Sequence, residues 1–422
     1  MFKVIEVSHI RSSLSPFKVA QGYVVEYPEK VKIALGKIFE DYNNTFNQIV
    51  PLNQEWSEDY QFARLSNGDY FNFAVQIDMK GLEDEFLEWS KNASIDEVKE
   101  SLRRRICEIE NSIAMYQMLS AIFDSGEDHF ANGWRKALNE FREKTGKSVV
   151  LLAVTKEKYE GMLASEFGGY VDKKEVYELS GFDDFWGPEE FLKNKEREDV
   201  IYFVRSSQPV SWQRNPRTKV NHPILMYSQL RKIIKAKSIT FNVDDAAWYE
   251  NLNGVNYVKI INDTKEYMIR MGLGFPLNSY GDLVDKENLK LTKNFERFLL
   301  KNEVDPEEVI KGEKLIRVKP LKLFYGGYGH LRGRILDKEF RQKLKRELSL
   351  RGPYICQIEM EMPKVKDEEG REYAYIDRVF YAYLNENPVF IGGFRNLMPI
   401  NSFEFKRGRI HGNSEAVWAK IV

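Results

Sequence analysis

Cysteine is almost absent: the 422 residues hold two, Cys107 and Cys356. Two isolated thiols in apolar surroundings make neither a disulfide framework nor a zinc ligand set, and a reducing compartment is expected. Histidine is also sparse, with five in the chain. His9, His129 and His222 stand alone, without metal-ligand spacing. No apolar run approaches the roughly 20 residues that a bilayer span requires. The longest, such as Val149 to Val154, have the length of a strand. The start, MFKVIEVSHI, lacks the basic region and apolar run of a signal peptide. A cytoplasmic protein without a membrane partner is expected. Net charge is nearly nil, at -1 from 63 basic and 64 acidic residues. That excludes a global attraction to nucleic acid and confines any such site to a local patch. Low-complexity linkers and internal repeats are missing as well.

What is present is ample core material. Apolar residues make up 43% and aromatic residues 13%, enough for two or three packed domains. The abundance of Lys and Glu points to a thermophilic source. In the first 90 residues, GYVVEY and YFNFAVQIDMK alternate as strands do (Phe71, Phe73, Val75, Ile77), and a short helix is expected near Glu29 to Tyr42. Next, Ser94 and Glu97 form a capping box. Ile95, Val98, Leu102, Ile106, Ile109 and Ile113 follow at helical spacing, which predicts one long helix. A second helix, near Phe130 to Lys144, stops at Gly146.

The pattern then changes. Val149 to Val154, Val200 to Val204, Ser238 to Val243 and Tyr257 to Ile261 read as buried strands, with a helix near Lys156 to Glu166. Strands alternating with helices predict an α/β layer with a parallel sheet over about 147–250. The last block differs again. A strand, a glycine turn and a strand (LIRVKPLKLFYGGYGHLRGRIL) precede a charged helix from Asp337 to Leu350. The antiparallel candidates YICQIEME, YAYIDRVFYAYL and PVFIGGF follow. Together the chain reads as α/β and α+β, divided into 1–146, 147–250 and 251–422.

The chemistry concentrates in the glycine turn. Gly326, Gly327, Gly329 and Gly333 free the backbone to approach a ligand. Successive N–H groups in such a turn cradle phosphate oxygens. Lys319, at the end of the preceding strand, adds a compact cation, and His330 and Arg332 supply further donors. A glycine cluster alone is equally an ordinary hairpin.

The order of its neighbours is more specific. Val318 to Pro320 reads VKP; GGYGHLRG follows, then the helix DKEFRQKLKREL, then YICQIEME at Tyr354 to Glu361. This order resembles the ATP-grasp superfamily. The resemblance implies that Lys319 contacts phosphate, that Gln357 to Glu359 line the adenine, and that Glu361 reaches the ribose. It places the family's earlier lysine at Lys265. Within the superfamily, the late region is similar to the glutathionylspermidine synthase-like and circularly permuted proteins: Arg378 in IDRVF, Gly392, Gly393 and Arg395 in GGFR, and Gly412, Asn413 and Trp418 near the end. VIYFVRSS is similar to that subgroup's site strand, which makes Arg205 a site arginine.

The resemblance also implies a Rossmann-like pre-ATP-grasp middle domain and ATP with Mg2+ as cofactors. The reaction it implies is ATP-dependent joining of a small-molecule or peptide carboxylate to an amine through an acyl-phosphate, with Arg205, Arg378 and Arg395 holding that intermediate. Mg2+ needs hard oxygen ligands, and the family's late Glu-x-Asn pair is missing. The permuted subgroup carries its carboxylates early in the chain. The candidates here are Asp78 in VQIDMK and the tetrad Glu108, Ile109, Glu110, Asn111. The periodicity places that tetrad inside the long helix, where it equally reads as a solvated face.

Other readings stay open. The nucleotide fold can serve as a catalytically degenerate binding or interaction module. The basic stretch 205–221, with Arg205, Arg214, Arg217, Lys219 and Trp212, can bind an anionic substrate or nucleic acid, or be a solvated loop. Asp244 and Asp245 read either as a catalytic pair or as carboxylates at a helix N-terminus.

Overall fold

The computed structural model describes residues 1–7, 17–49, 74–110, 129–153, 181–194, 197, 199–205, 239–242, 246–252, 255–261, 268–285, 287–321, 330–384, 387–406 and 415–422. The fold is mixed α/β. It groups into two compact units, one of Met1–Ser206, Met226–Val243 and Met362–Val422, the other of Ser207–Leu225 and Asp244–Glu361.

The chain opens with strands β1 (Lys3–Val7), β2 (Phe17–Val25), β3 (Ala74–Lys80) and β4 (Ile106–Glu110). Strands β5 (Ser148–Ala153), β6 (Asp184–Trp186), β7 (Val200–Arg205) and β8 (Ile239–Asn242) follow. Next come β9 (Ala246–Leu252), β10 (Val255–Ile261), β11 (Phe275–Leu277), β12 (Ile316–Pro320), β13 (Leu331–Gly333) and β14 (Tyr354–Ile358). The chain closes with β15 (Lys364–Lys366), β16 (Glu372–Leu384), β17 (Asn387–Pro399) and β18 (Val417–Ile421).

In the first unit the two chain ends build one sheet, ordered β1-β2-β18-β17-β16-β3-β4, with β15 paired to β16. All its pairs are antiparallel except β18 with β2. This corrects the expected division at 146 and 251: the last strands pair with the first ones, not with the glycine-turn region. Tyr373 to Ala382 of β16 are buried on both faces. On one, the helix Glu29–Ile49 packs with Gly36 against the Tyr381 ring, whose hydroxyl donates to the Lys32 carbonyl at 2.7 Å. The helix His129–Thr145 packs through Gly133 against Ile391. It ends as its sequence predicts, with Gly146 at φ +65°.

The long helix expected from Ile95 is shorter. The capping box forms, with the Ser94 hydroxyl accepting from the Glu97 amide and the Glu97 carboxylate from the Ser94 amide. The helix then stops at Arg103, and Ile106–Glu110 is strand β4. The open side of β3 offers unpaired backbone groups, and the run ICEIE fits an edge strand as well as a helix. The Lys80 amide, donating to the Arg105 carbonyl at 2.8 Å, starts that pairing.

A second sheet of this unit, β6-β5-β7-β8, is parallel throughout. The expected helix near Lys156 to Glu166 lies outside the described residues. Asp244 and Asp245 are outside them too; the segment that follows is strand β9, paired with β10, and not the helix of one of their two readings.

The other unit holds the β9–β10 pair and a four-stranded antiparallel sheet, β11-β14-β12-β13. One face of that sheet is apolar. Ile316, Val318, Tyr354 and Cys356 pack there against Phe295 and Leu299 of the helix Lys293–Lys301 and Phe340 and Leu344 of the helix Lys338–Arg351. The latter helix starts where expected, Asp337 accepting from the Phe340 amide at 2.7 Å.

Candidate functional site

Strict alternation decides what the first unit's large sheet presents. Arg378 of β16 lies opposite Asp78 of β3, and Asp78 lies opposite Glu108 of β4. Register partners share a face, so residues from distant parts of the chain form one row. The Arg378 Nη2 and Asp78 Oδ2 atoms are 2.8 Å apart, with both side chains almost fully buried. Gln76, two residues before Asp78, donates from Nε2 to Asp78 Oδ1 at 2.6 Å. Glu108 is half-buried. Glu110 holds the register position opposite Gln76. The segment is strand β4, where the sequence pattern placed the tetrad in a helix. Asn111 lies outside the described residues.

Two carboxylates directly opposite each other repel. Arg378 offsets the charge of one. Asp78 meets Arg378 at one oxygen and accepts from Gln76 at the other. Carboxylate oxygens on adjacent strands are the hard donors that a divalent cation of the Mg2+ type takes. Among the described residues, no group of three or more His, Cys, Asp and Glu side chains is placed to hold a metal ion.

Arg395 is on the other face. Its register partner is Asp377, the neighbour of Arg378. Arg395 donates to Asp377 through Nε at 2.7 Å and Nη2 at 2.8 Å, to the Tyr23 hydroxyl at 2.8 Å and to the Leu82 carbonyl at 2.7 Å. Its guanidinium carbon lies 4.0 Å from the centre of the Tyr375 ring. Tyr27 and the Leu82 amide complete the shell of Asp377, at 2.7 and 2.9 Å. Burial opposes the charge on Arg395, but Asp377 outweighs it and pushes the guanidinium pKa further up. Burial, then the Asp377 charge, drives the Tyr27 phenol well above its ordinary value. This is a satisfied internal ion pair, and it separates Arg395 from Arg378 instead of joining them.

The glycines of GGFR have local work. Ile391 is an extra residue opposite the Phe380–Tyr381 step, and Gly392 takes φ +120°. A Cβ at Gly393 would sit 2.6 Å from the Arg378 carbonyl oxygen.

In the other unit, alternation in IRVKP sends Ile316 and Val318 to the core and Arg317 and Lys319 to the opposite face. Lys319 is mostly buried and lies in register with Ile355. Arg317 is in register with Arg332 of β13 on one side and Gln357 of β14 on the other. Gln357 Nε2 donates to the Met268 sulfur at 3.4 Å. Both Glu359 oxygens accept from Arg317, at 2.8 and 2.9 Å, and Arg332 Nε lies 3.4 Å from Oε1. Among the described residues this face carries three cations, Arg317, Lys319 and Arg332, against one carboxylate. Glu361 is exposed beyond the end of β14. Gly326, Gly327, Gly329 and Lys265 lie outside the described residues, and His330 stands just before β13.

Arg205 ends β7, opposite Ala153 of β5 and Asn242 of β8. The remainder of the basic stretch to 221 lies outside the described residues. Sequence reasoning missed Arg317, Gln76 and Asp377. The two-residue period of RVK carried the signal for Arg317; nothing local marked the others.

Among the described residues no helix is long and apolar enough to cross a membrane. Compared with known proteins, the chain matches no family model and no curated sequence.

Proposed function

We propose that the protein binds ATP and acts as an ATP-dependent carboxylate–amine ligase of ATP-grasp type. The observation that carries this reading is the antiparallel sheet of the second unit. Lys319 stands on β12, the glycine-rich segment links β12 to β13, and β14, with Gln357, pairs with β12. Cations thus gather on a face backed by a rigid apolar core. Such a face offers positive charge where phosphate charge must be offset, which is what phosphoryl transfer asks of a protein.

Lys319 holds phosphate oxygens, and Gln357 with the β14 backbone meets the adenine. Asp78 and Glu108, within the first unit, are the residues that would hold a divalent cation such as Mg2+. Arg205, at the carboxyl end of its strand, is assigned to the carboxylate substrate. Arg378, tied to Asp78, is a positioning residue for that carboxylate. Arg395, engaged by Asp377, is given no catalytic role in this reading.

The test is thermal unfolding of the purified protein with ATP, with and without Mg2+. Mg2+-dependent stabilisation by ATP that disappears in Lys319→Ala supports the reading; a wild type indifferent to ATP overturns it. ADP release that requires both an added acid and an added amine separates a ligase from a binding module. The binding-module reading is favoured by one feature, the engagement of Asp78 by Arg378.

A further inference from the structure

Glu359 belongs to the stretch that the family resemblance assigns to adenine, yet its carboxylate is committed elsewhere. Arg317 takes both oxygens in a bidentate pair, the strongest ion-pair geometry available to a guanidinium. Arg332 makes a longer contact, 3.4 Å through Nε, and its side chain is 49% exposed against 26% for Arg317. A carboxylate so held has little capacity left for a base or a ribose. The two guanidiniums, in turn, are carried side by side in register on adjacent strands, and Arg317 is two residues before Lys319 on β12.

We propose that Glu359 is an internal stand-in for a ligand phosphate. It keeps Arg317 and Arg332 ordered on the sheet face, and an arriving phosphate group takes Arg332 over from it. Arg317 remains on Glu359 and fixes the carboxylate. Arg332, on the returning arm of the glycine hairpin, is the one that transfers, because its present contact is long and solvated. The ligand class is a di- or triphosphate, which Arg332 meets through its phosphates. The inference rests on the phosphate-binding reading of this face, but not on ligase activity or on recognition of adenine.

The test uses inorganic tripolyphosphate and ATP as separate probes, with titration calorimetry on the full chain. Glu359→Gln removes the competing charge while keeping the side-chain shape. It should tighten tripolyphosphate binding severalfold, and Arg332→Gln should weaken it by about tenfold, the worth of one charge-assisted contact. Arg332 is half-exposed, so that variant keeps the assay open should Glu359→Gln fold poorly. Weaker ATP binding in Glu359→Gln with tripolyphosphate binding unchanged would return Glu359 to the nucleoside and overturn the proposal. A wild type that binds ATP but not tripolyphosphate would also overturn it and leave ATP recognition standing. Tripolyphosphate binding with the predicted variant effects, but no ATP binding, would support it while removing the ligase reading.

Discussion

Asp78 and Arg378 come from opposite ends of the chain, yet they are direct partners across β3 and β16, joined by a 2.8 Å ion pair that water barely reaches. Removing one member of such a pair leaves a buried charge without its counter-ion. Asp78→Asn and Arg378→Met should each lower unfolding free energy by about 3–5 kcal/mol. The double variant should lose less than the sum. Urea denaturation of the four proteins measures this coupling. Simple additivity would show that the pair contributes nothing as a pair.

Gly393 lies where a side chain has no room. In Gly393→Ala the new methyl meets the Arg378 carbonyl oxygen at 2.6 Å, and backbone cannot step aside as a flexible side chain can. A loss on the order of 1–3 kcal/mol is expected, read as a lower denaturant midpoint. The substitution should also disturb the neighbouring Asp78–Arg378 pair. Unchanged stability would mean that β16 and β17 pass each other less closely.

Asp367 organises the turn before β16. Its buried carboxylate accepts from the Arg371 amide and side chain, the Glu369 amide and the Tyr373 hydroxyl. Burial raises its pKa, but the bonds from Arg371 and Tyr373 outweigh it and hold the group below its ordinary value of 3.8. Burial, with a contribution from the Asp367 charge, lifts the Tyr373 phenol to about 12. A depressed folded pKa means that this stabilisation is complete above the unfolded value and fades as pH falls through the lower folded one. Asp367→Asn should therefore be less stable than wild type at neutral pH. The gap should close below about pH 3.8, in paired acid-denaturation curves. A gap independent of pH would place the effect in shape, not charge.

Lys319→Ala separates ligand binding from folding. At an ATP concentration 100 times its Kd, stabilisation is about 2.7 kcal/mol. If the lysine carries phosphate, a hundredfold loss of affinity cuts that to roughly 0.4 kcal/mol. The unliganded variant should keep its antiparallel sheet, since the core of that unit is on the other face. Thermal unfolding with and without ATP and Mg2+ reads both effects, and undiminished stabilisation would remove Lys319 from the site.

Much of this protein was legible from local pattern. Capping residues, a positive-φ glycine at a helix end and two-residue alternation act within a few positions, so the boundaries at Ser94, Gly146 and Asp337 and the inward and outward faces of IRVKP follow from the chain itself. The tetrad at Glu108 did not follow, because ICEIE satisfies a helix and a strand equally. The open edge of β3 decided the matter. Pairing between chain ends carries no local signature either. It was the tertiary structure that set β16 beside β3, sent Arg378 to Asp78 and turned Arg395 to the far face against Asp377. A one-residue slip of β17 against β16 would have put both arginines on one face.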